Sequence, residues 1–346
     1  MREKVLVLGG GFGGLTAALR VKRALGQDAD VTVVSAADRF LYTPSLARLP
    51  FGRRRPEELG FPLAPTLWMR EVRFAQATVT AIDPAARLVR TTAGEHPYDH
   101  LVVATGCRDD LAALPGLAEA DGAWSVTTLE GALRAGEGWR AFLDDPGPVV
   151  VGAAQGACCP GLARAFLAAL TAELRRAGLR ERTPIAYVTA GGERRLAAAL
   201  ERQGVQAVTG AVMTEAAPGK LRLADGTTLA YAYAMIVPPS AGQDVVRAVP
   251  GLTDARGFVP VLDTCRSRAH PGLYAVGTAT GPGAGPHATA QARVAAVNIA
   301  AAIRGEPPAA YRPGLAVPAP PRSRAAGALF EKYYLWKARH GYVRLP

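Results

Sequence analysis

The sequence predicts an α/β protein, and three observations carry that prediction. Near the N-terminus, KVLVLGGGFGGLTAALRVKRAL is a short apolar strand, a glycine turn and an amphipathic helix. A second unit of this kind begins in mid-chain, where Val149-Val150-Val151 runs into GAAQGACCPG. PGLYAVGTATG at residues 271–281 then repeats the strand-and-glycine ending of YDHLVVATGC at 98–107. Strands that alternate with helices build a parallel sheet covered by helices. The expected layout is therefore two Rossmann-like dinucleotide-binding domains, the first discontinuous, followed by a short C-terminal amphipathic helical segment. The boundaries expected from the sequence are 1–109 with 245–318 for the first domain, 110–244 for the second and 319–346 for the C-terminal segment.

Bulk properties narrow the class. A chain of 346 residues with 49% hydrophobic and 20% charged content is long and apolar enough for several cores. Four cysteines do not make a disulfide framework and suit a reducing compartment. No stretch reaches the length of a membrane span, and a strand starts within the first residues where a signal peptide would lie. The expected location is cytoplasmic. The net charge of +11 calls for a negatively charged partner or surface. No basic-aromatic platform supports nucleic acid as that partner. The five histidines show no metal-ligand spacing, and GFGGL lacks the Gly-Lys-Ser/Thr ending of a P-loop.

The first turn is the strongest motif. Gly9, Gly11 and Gly14 form G-x-G-x-x-G, with Phe12 and Gly13 inside it. Such glycines allow a tight turn, close approach of backbone to a pyrophosphate, and close packing of helix on strand. The helix N-terminus then offers its N–H groups and dipole to the phosphates. The next strand, DVTVVS, ends in Ser35, followed by Ala36, where an acid would mark NAD. Two later strand ends, Ala104-Thr105-Gly106 and Gly277-Thr278, complete the order of elements expected of an FAD domain.

On these motifs the chain resembles the sulfide:quinone oxidoreductases, a membrane-associated branch of the disulfide-reductase-like flavoproteins. Further segments extend the resemblance along almost the whole chain: FLYTPSLARLPFGRRRPEELGFPL, WSVTTLEGA, YAMIVPP, PGLTDARGFVPV and FEKYYLWKARHG. The resemblance implies FAD as cofactor. Its expected contacts are Gly9, Gly11, Phe12, Gly13, Gly14, Ser35, Ala36, Thr43, Pro44, Val79, Ala104, Thr105, Gly106, Gly277 and Thr278. It also implies that Cys159 is the redox cysteine facing the flavin and holding sulfur, with Cys158 as a poor second sulfur. Read alone, that pair fits two small buried hydrophobes. Cys107 and Cys265 are expected to be structural.

Several departures from the family pattern bear on activity. Ala154 stands where the second turn would need its middle glycine, and PIAYVT ends without an acid, so NAD(P) binding there is not expected. No cysteine follows Cys265, although the family uses a second redox cysteine there. Thr127 and Ala165 stand at the positions of a further cysteine and of an acid. The loop after PIAYVT is short, and His287 lies near the place of a quinone-side lysine.

The function implied by the resemblance is an FAD-dependent oxidoreductase passing electrons from sulfide, or a related sulfur species, to a quinone. Two alternatives stay open: a non-catalytic or sulfur-binding flavoprotein relative, and an NADH:quinone reductase, which the degenerate second turn disfavours. Homo-oligomerisation is a further expectation. At the C-terminus, Leu329, Phe330, Tyr333 and Trp336 share one helical face, and residues 322–346 carry six basic residues and one acidic. Aromatic and basic residues in this pattern suit peripheral attachment at a membrane interface, here the inner face of the plasma membrane.

Overall fold

A computed structural model describes residues 2–192 and 194–311, together with Leu335 and Arg339. The aromatic face assigned to the C-terminal segment lies outside the described residues. The chain divides into two compact units: Met1–Leu41 with Gly60–Arg108 and Ala241–Pro346, and Tyr42–Leu59 with Asp109–Ser240.

The first unit is built on a five-stranded parallel sheet. Across the sheet its strands run Leu273–Ala275, His100–Val103, Glu3–Leu8, Ala29–Ser35 and Arg73–Gln76. Val5, Leu6, Val7 and Leu8 are all at most 2% exposed, so the first strand is buried on both faces and reads as a continuous apolar run rather than an alternating one. Helices Phe12–Leu25 and Ala288–Arg304 pack against each other. Their buried alanines, Ala17, Ala18, Ala292, Ala295 and Ala296, allow close approach of the two backbones. A second core cluster joins Leu6, Leu8, Val34 and Leu101 of the sheet to Ile82, Val89 and Tyr98 of the antiparallel hairpin region 79–98. The strand Leu273–Ala275, far along the chain, pairs with His100–Val103 and closes this sheet.

The second unit repeats the plan with different surroundings. Its parallel sheet runs Ala123–Trp124, Tyr233–Val237, Val149–Ala153, Ile185–Thr189 and Val205–Thr209. Helix Leu129–Asp144 starts at a Thr128 cap, whose hydroxyl accepts the Gly131 N–H at 3.0 Å. The segment Tyr42–Leu59 packs within this unit although it precedes the rest by some fifty positions. Phe51 meets Trp139 and Phe166 at ring-centroid distances of 5.1 Å each, and Gly136 lies under Pro50. Arg53 grips Glu173 with two nitrogens, at 3.1 and 2.6 Å, and Arg176 binds the same carboxylate. Glu173 is almost fully buried, yet its carboxyl is held below the usual range. Burial is the largest effect and raises it, but the hydrogen bonds and charges of the two arginines together outweigh that.

Among the described residues no helix is long and apolar enough to cross a membrane.

Candidate active site

Only Gly9, Gly10 and Gly11 separate the strand Glu3–Leu8 from the helix Phe12–Leu25. The Gly11 cap has no side-chain hydrogen bond, and the first helical turn has no acidic residue. Its N–H donors therefore face outward with the positive end of the helix dipole. Three glycines show three different demands. Gly9 has φ +109°, and a Cβ there would stand 2.8 Å from the Ala104 carbonyl carbon. A Cβ on Gly14 would press into the Gly9 carbonyl, 2.9 Å from its carbon. Around Gly11 a Cβ would meet nothing within 4 Å. The first and third glycines are thus required by packing, and the second borders open space.

The other expected cofactor contacts of this unit gather at the same sheet edge. A Cβ on Gly10 would lie 3.2 Å from the Ser35 hydroxyl, and Ala77 N–H bonds the Ser35 carbonyl, which brings Ala36 and Val79 to this end. Ala104, Thr105 and Gly106 follow the neighbouring strand His100–Val103, and a Cβ on Gly106 would lie 3.3 Å from the Thr278 hydroxyl. That hydroxyl accepts the Cys107 N–H at 3.2 Å, while Gly277 N–H bonds the Gln291 side chain at 2.8 Å. Phe12 sets its ring edge against Phe40, and a Cβ on Gly13 would touch Val276. The Thr105 hydroxyl is buried without a hydrogen-bond partner, which a bound ligand would supply. Open space at Gly11, a bare helix N-terminus and an orphaned hydroxyl together fit the pyrophosphate and ribose of a dinucleotide. Thr43 and Pro44 open the helix Thr43–Phe51, which belongs to the second unit.

The second turn has the same strand and helix but different contents. Seven residues, Ala154 to Pro160, separate the strand Val149–Ala153 from the helix Gly161–Arg176. A Cβ on Gly152 would stand 2.6 Å from the Met213 methyl and 2.9 Å from the Val188 carbonyl oxygen, so packing requires a glycine there, as at Gly9. Ala154 is buried, and Gln155 clamps the Met213 backbone, donating to its carbonyl at 2.9 Å and accepting its N–H at 3.1 Å. At the end of the next strand the Thr189 hydroxyl is taken up by the Gly191 N–H at 3.2 Å. The helix N-terminus that would hold a phosphate is instead preceded by Cys158-Cys159-Pro160.

The two adjacent cysteines have opposite environments. Cys158 is buried, and its N–H is held by the Ser240 hydroxyl at 3.1 Å. Cys159 is exposed, and its carbonyl accepts the Leu162 N–H at 3.0 Å, fixing it to the first turn of Gly161–Arg176. No acidic residue occupies that turn, so the helix dipole favours a thiolate there. Of the other thiols, Cys107 is half-buried and Cys265 is buried. Cys265 takes a left-handed φ of +61°, and burial, with Asp263 adding to it, pushes its thiol up to about 12. His287 caps the helix Ala288–Arg304, with its ring 6.4 Å from Tyr311.

Thr127 carries no sulfur but is not idle. Its hydroxyl donates to Asp109 Oδ2 at 2.5 Å and lies 2.9 Å from the Ser125 hydroxyl. Burial raises the Asp109 carboxyl above the ordinary range, and the Thr127 hydrogen bond offsets part of that rise. Sequence reasoning did not single out Asp109, Ser240 or Gln155. Gln155 lies inside GAAQGACCPG but at none of its glycine or cysteine positions, Asp109 and Ser240 stand in no motif, and only the pairing of distant segments reveals what the three do.

The pyridine nucleotide-disulphide oxidoreductase family matches residues 3–296. The chain belongs to that family. As a pyridine nucleotide-disulphide oxidoreductase family member with this glycine turn, it is an FAD-dependent oxidoreductase. It is 27% identical to the sulfide-quinone reductase of Aquifex aeolicus (strain VF5), over 99% of this chain and 93% of that one. It is 31% identical to an NADH dehydrogenase-like protein of Mycobacterium tuberculosis, over 79% of this chain and 72% of that one. The solved sulfide:quinone oxidoreductase of Aquifex aeolicus matches with a TM-score of 0.87 at 26% identity, covering 98% of this chain and 92% of that one.

Proposed function

We propose that the chain oxidises sulfide, or a related sulfur species, and reduces a quinone: HS⁻ + quinone + H⁺ → S⁰ + quinol. One observation carries this reading. The second turn has buried Ala154 in place of its middle glycine and Gln155 clamped to the Met213 backbone, and the helix behind it is preceded by an exposed cysteine in place of a phosphate cradle. The likeness to sulfide-quinone reductase over nearly the full length of both chains supports it. The likeness to an NADH dehydrogenase-like protein favours the nicotinamide alternative less, because the second turn has lost the features that alternative needs.

FAD, when bound, supplies two-electron chemistry between the sulfur donor and the quinone. The residues of this chain do the rest. Gly9 to Gly14 receive the pyrophosphate on the N-terminus of Phe12–Leu25, and Ser35 and Thr105 offer hydroxyls to the ribose side. Cys159, as thiolate, takes up the sulfur atom. Cys158 anchors the loop through its N–H and stays out of the chemistry. In this reading 1–109 with 245–318 is the FAD domain, and 110–244 is a thiol-bearing copy of it without a nicotinamide site. The segment 322–346, with its excess of basic residues and its aromatics, attaches the protein peripherally to a membrane surface where quinone resides.

The test is anaerobic addition of sulfide to the FAD-loaded protein, followed by flavin absorbance. Bleaching is expected in the native protein and in Cys158→Ser, and its loss in Cys159→Ser. Full bleaching in Cys159→Ser would refute the assignment.

A further inference from the structure

Uptake of sulfur at Cys159 liberates a proton. In Cys159-S⁻ + HS⁻ → Cys159-S-S⁻ + H⁺ + 2e⁻, an S–S bond forms and an S–H bond breaks, with the electrons leaving to the quinone oxidant of the proposed reaction. The loop that carries the cysteine offers no base for that proton. GAAQGACCPG has no ionisable group besides its two thiols, and the first turn of the following helix contains only the cation Arg164. A side-chain acceptor would therefore come from another element.

The segment next to the loop provides one. Ser240 holds the Cys158 N–H, and its own N–H bonds the Gly156 carbonyl at 3.3 Å, so the cysteine loop hangs from this residue at two points. The preceding residue, Pro239, accepts the Asp110 N–H at 2.7 Å. The backbone of Asp110, next to Asp109, and the cysteine loop are therefore anchored at the consecutive residues Pro239 and Ser240, within one unit. The half-buried Asp109 carboxyl receives Thr127, and Thr127 contacts Ser125, which gives a carboxyl followed by two hydroxyls that can reorient to pass a proton.

We propose that Asp109, acting through Thr127, is the proton acceptor for sulfur uptake at Cys159. The proposal rests on the sulfide reading above and makes Asp109 a positioning residue for that site. Burial gives it a greater proton affinity than a surface carboxylate, which suits the role. Three other charged groups lie close to Asp109 or Thr127 along the chain. Arg108 on the same strand is paired with Asp244 at 3.0 Å, Asp110 follows with its backbone bound to Pro239, and Glu130 is an exposed residue of the first turn of Leu129–Asp144.

The experiment uses the full-length, FAD-loaded protein and follows anaerobic single-turnover bleaching by sulfide from acid to neutral pH. Asp109→Asn is expected to slow bleaching by about 10²-fold, in the range usual for a lost general base, with little change in the sulfide concentration giving half-maximal rate. It is also expected to lose the pH limb set by the carboxyl. Asp109→Glu recovers much of the rate. Thr127→Val keeps the carboxyl but cuts the relay, and is expected to slow the reaction and displace the same limb. Unchanged rates and pH profiles in Asp109→Asn and Thr127→Val overturn the proposal, as does a slowing with an unaltered pH profile, which marks a structural role. If Asp109→Asn fails to fold or to hold flavin, Thr127→Val alone decides by the same criteria. Bleaching that survives Cys159→Ser overturns the sulfide reading itself, a separate failure from that of Asp109.

Discussion

Replacing Gly11 by alanine is expected to remove FAD binding while leaving the first unit folded. The structure separates the two effects. A Cβ at Gly11 contacts nothing within 4 Å, and its φ of −82° suits any residue. Alanine at this helix cap costs up to about 1 kcal/mol. Its stiffer unfolded chain recovers about 0.4–1 kcal/mol, so stability barely moves. The methyl group instead occupies the space through which a pyrophosphate reaches the helix N-terminus. Losing two charge-assisted N–H bonds at about 1.5–3 kcal/mol each weakens FAD binding by about 10²–10⁴-fold. Gly14→Ala is the control: its Cβ is driven into the Gly9 carbonyl and destabilises the apoprotein by about 1–3 kcal/mol. The assay pairs a melting curve of each apoprotein with a titration of FAD followed by flavin fluorescence. A Gly11→Ala protein with native FAD affinity would refute the placement of the pyrophosphate. A Gly14→Ala protein that melts like the native one would refute the packing argument.

The Arg53–Glu173 pair makes stability depend on pH. Glu173 sits below the usual carboxylate range, so its contribution is present above the unfolded value near 4.5 and is lost as pH falls through the folded value. Arg53→Ala is expected to lower stability by about 1–3 kcal/mol at neutral pH, since Arg176 remains, and the gap to native should close in acid; denaturant melts at two pH values check this. NADH is expected to leave the flavin oxidised on a stopped-flow timescale, because buried Ala154 replaces the middle glycine of the second turn and Gln155 is clamped to the Met213 backbone; rapid bleaching would refute that. Deleting residues 322–346 is expected to release the protein from anionic liposomes, with native binding weakened by salt; equal binding of both forms counts against the anchor.

The glycine turn was legible from the sequence because everything it needs is contiguous. A strand, three glycines and a helix start are local backbone features, and their order dictates a phosphate-sized opening whatever surrounds it. The discontinuity of the first unit was legible for a related reason: the apolar run Leu273–Ala275 can be buried on both faces only inside a parallel sheet, and the strand His100–Val103 has a free edge to receive it. Cys158 and Cys159 show the limit of that logic. They are the same residue type in adjacent positions, yet one is buried under Ser240, which lies 82 residues away, and the other is exposed. The packing of Tyr42–Leu59 on Trp139, Phe166 and Glu173, and the meeting of Asp109 with Thr127, are likewise decided only when distant segments converge. Burial and hydrogen-bond partners depend on which segments pack together, so motif spacing placed the glycine turn, whereas the tertiary structure alone decided which thiol faces outward and which hydroxyl meets Asp109.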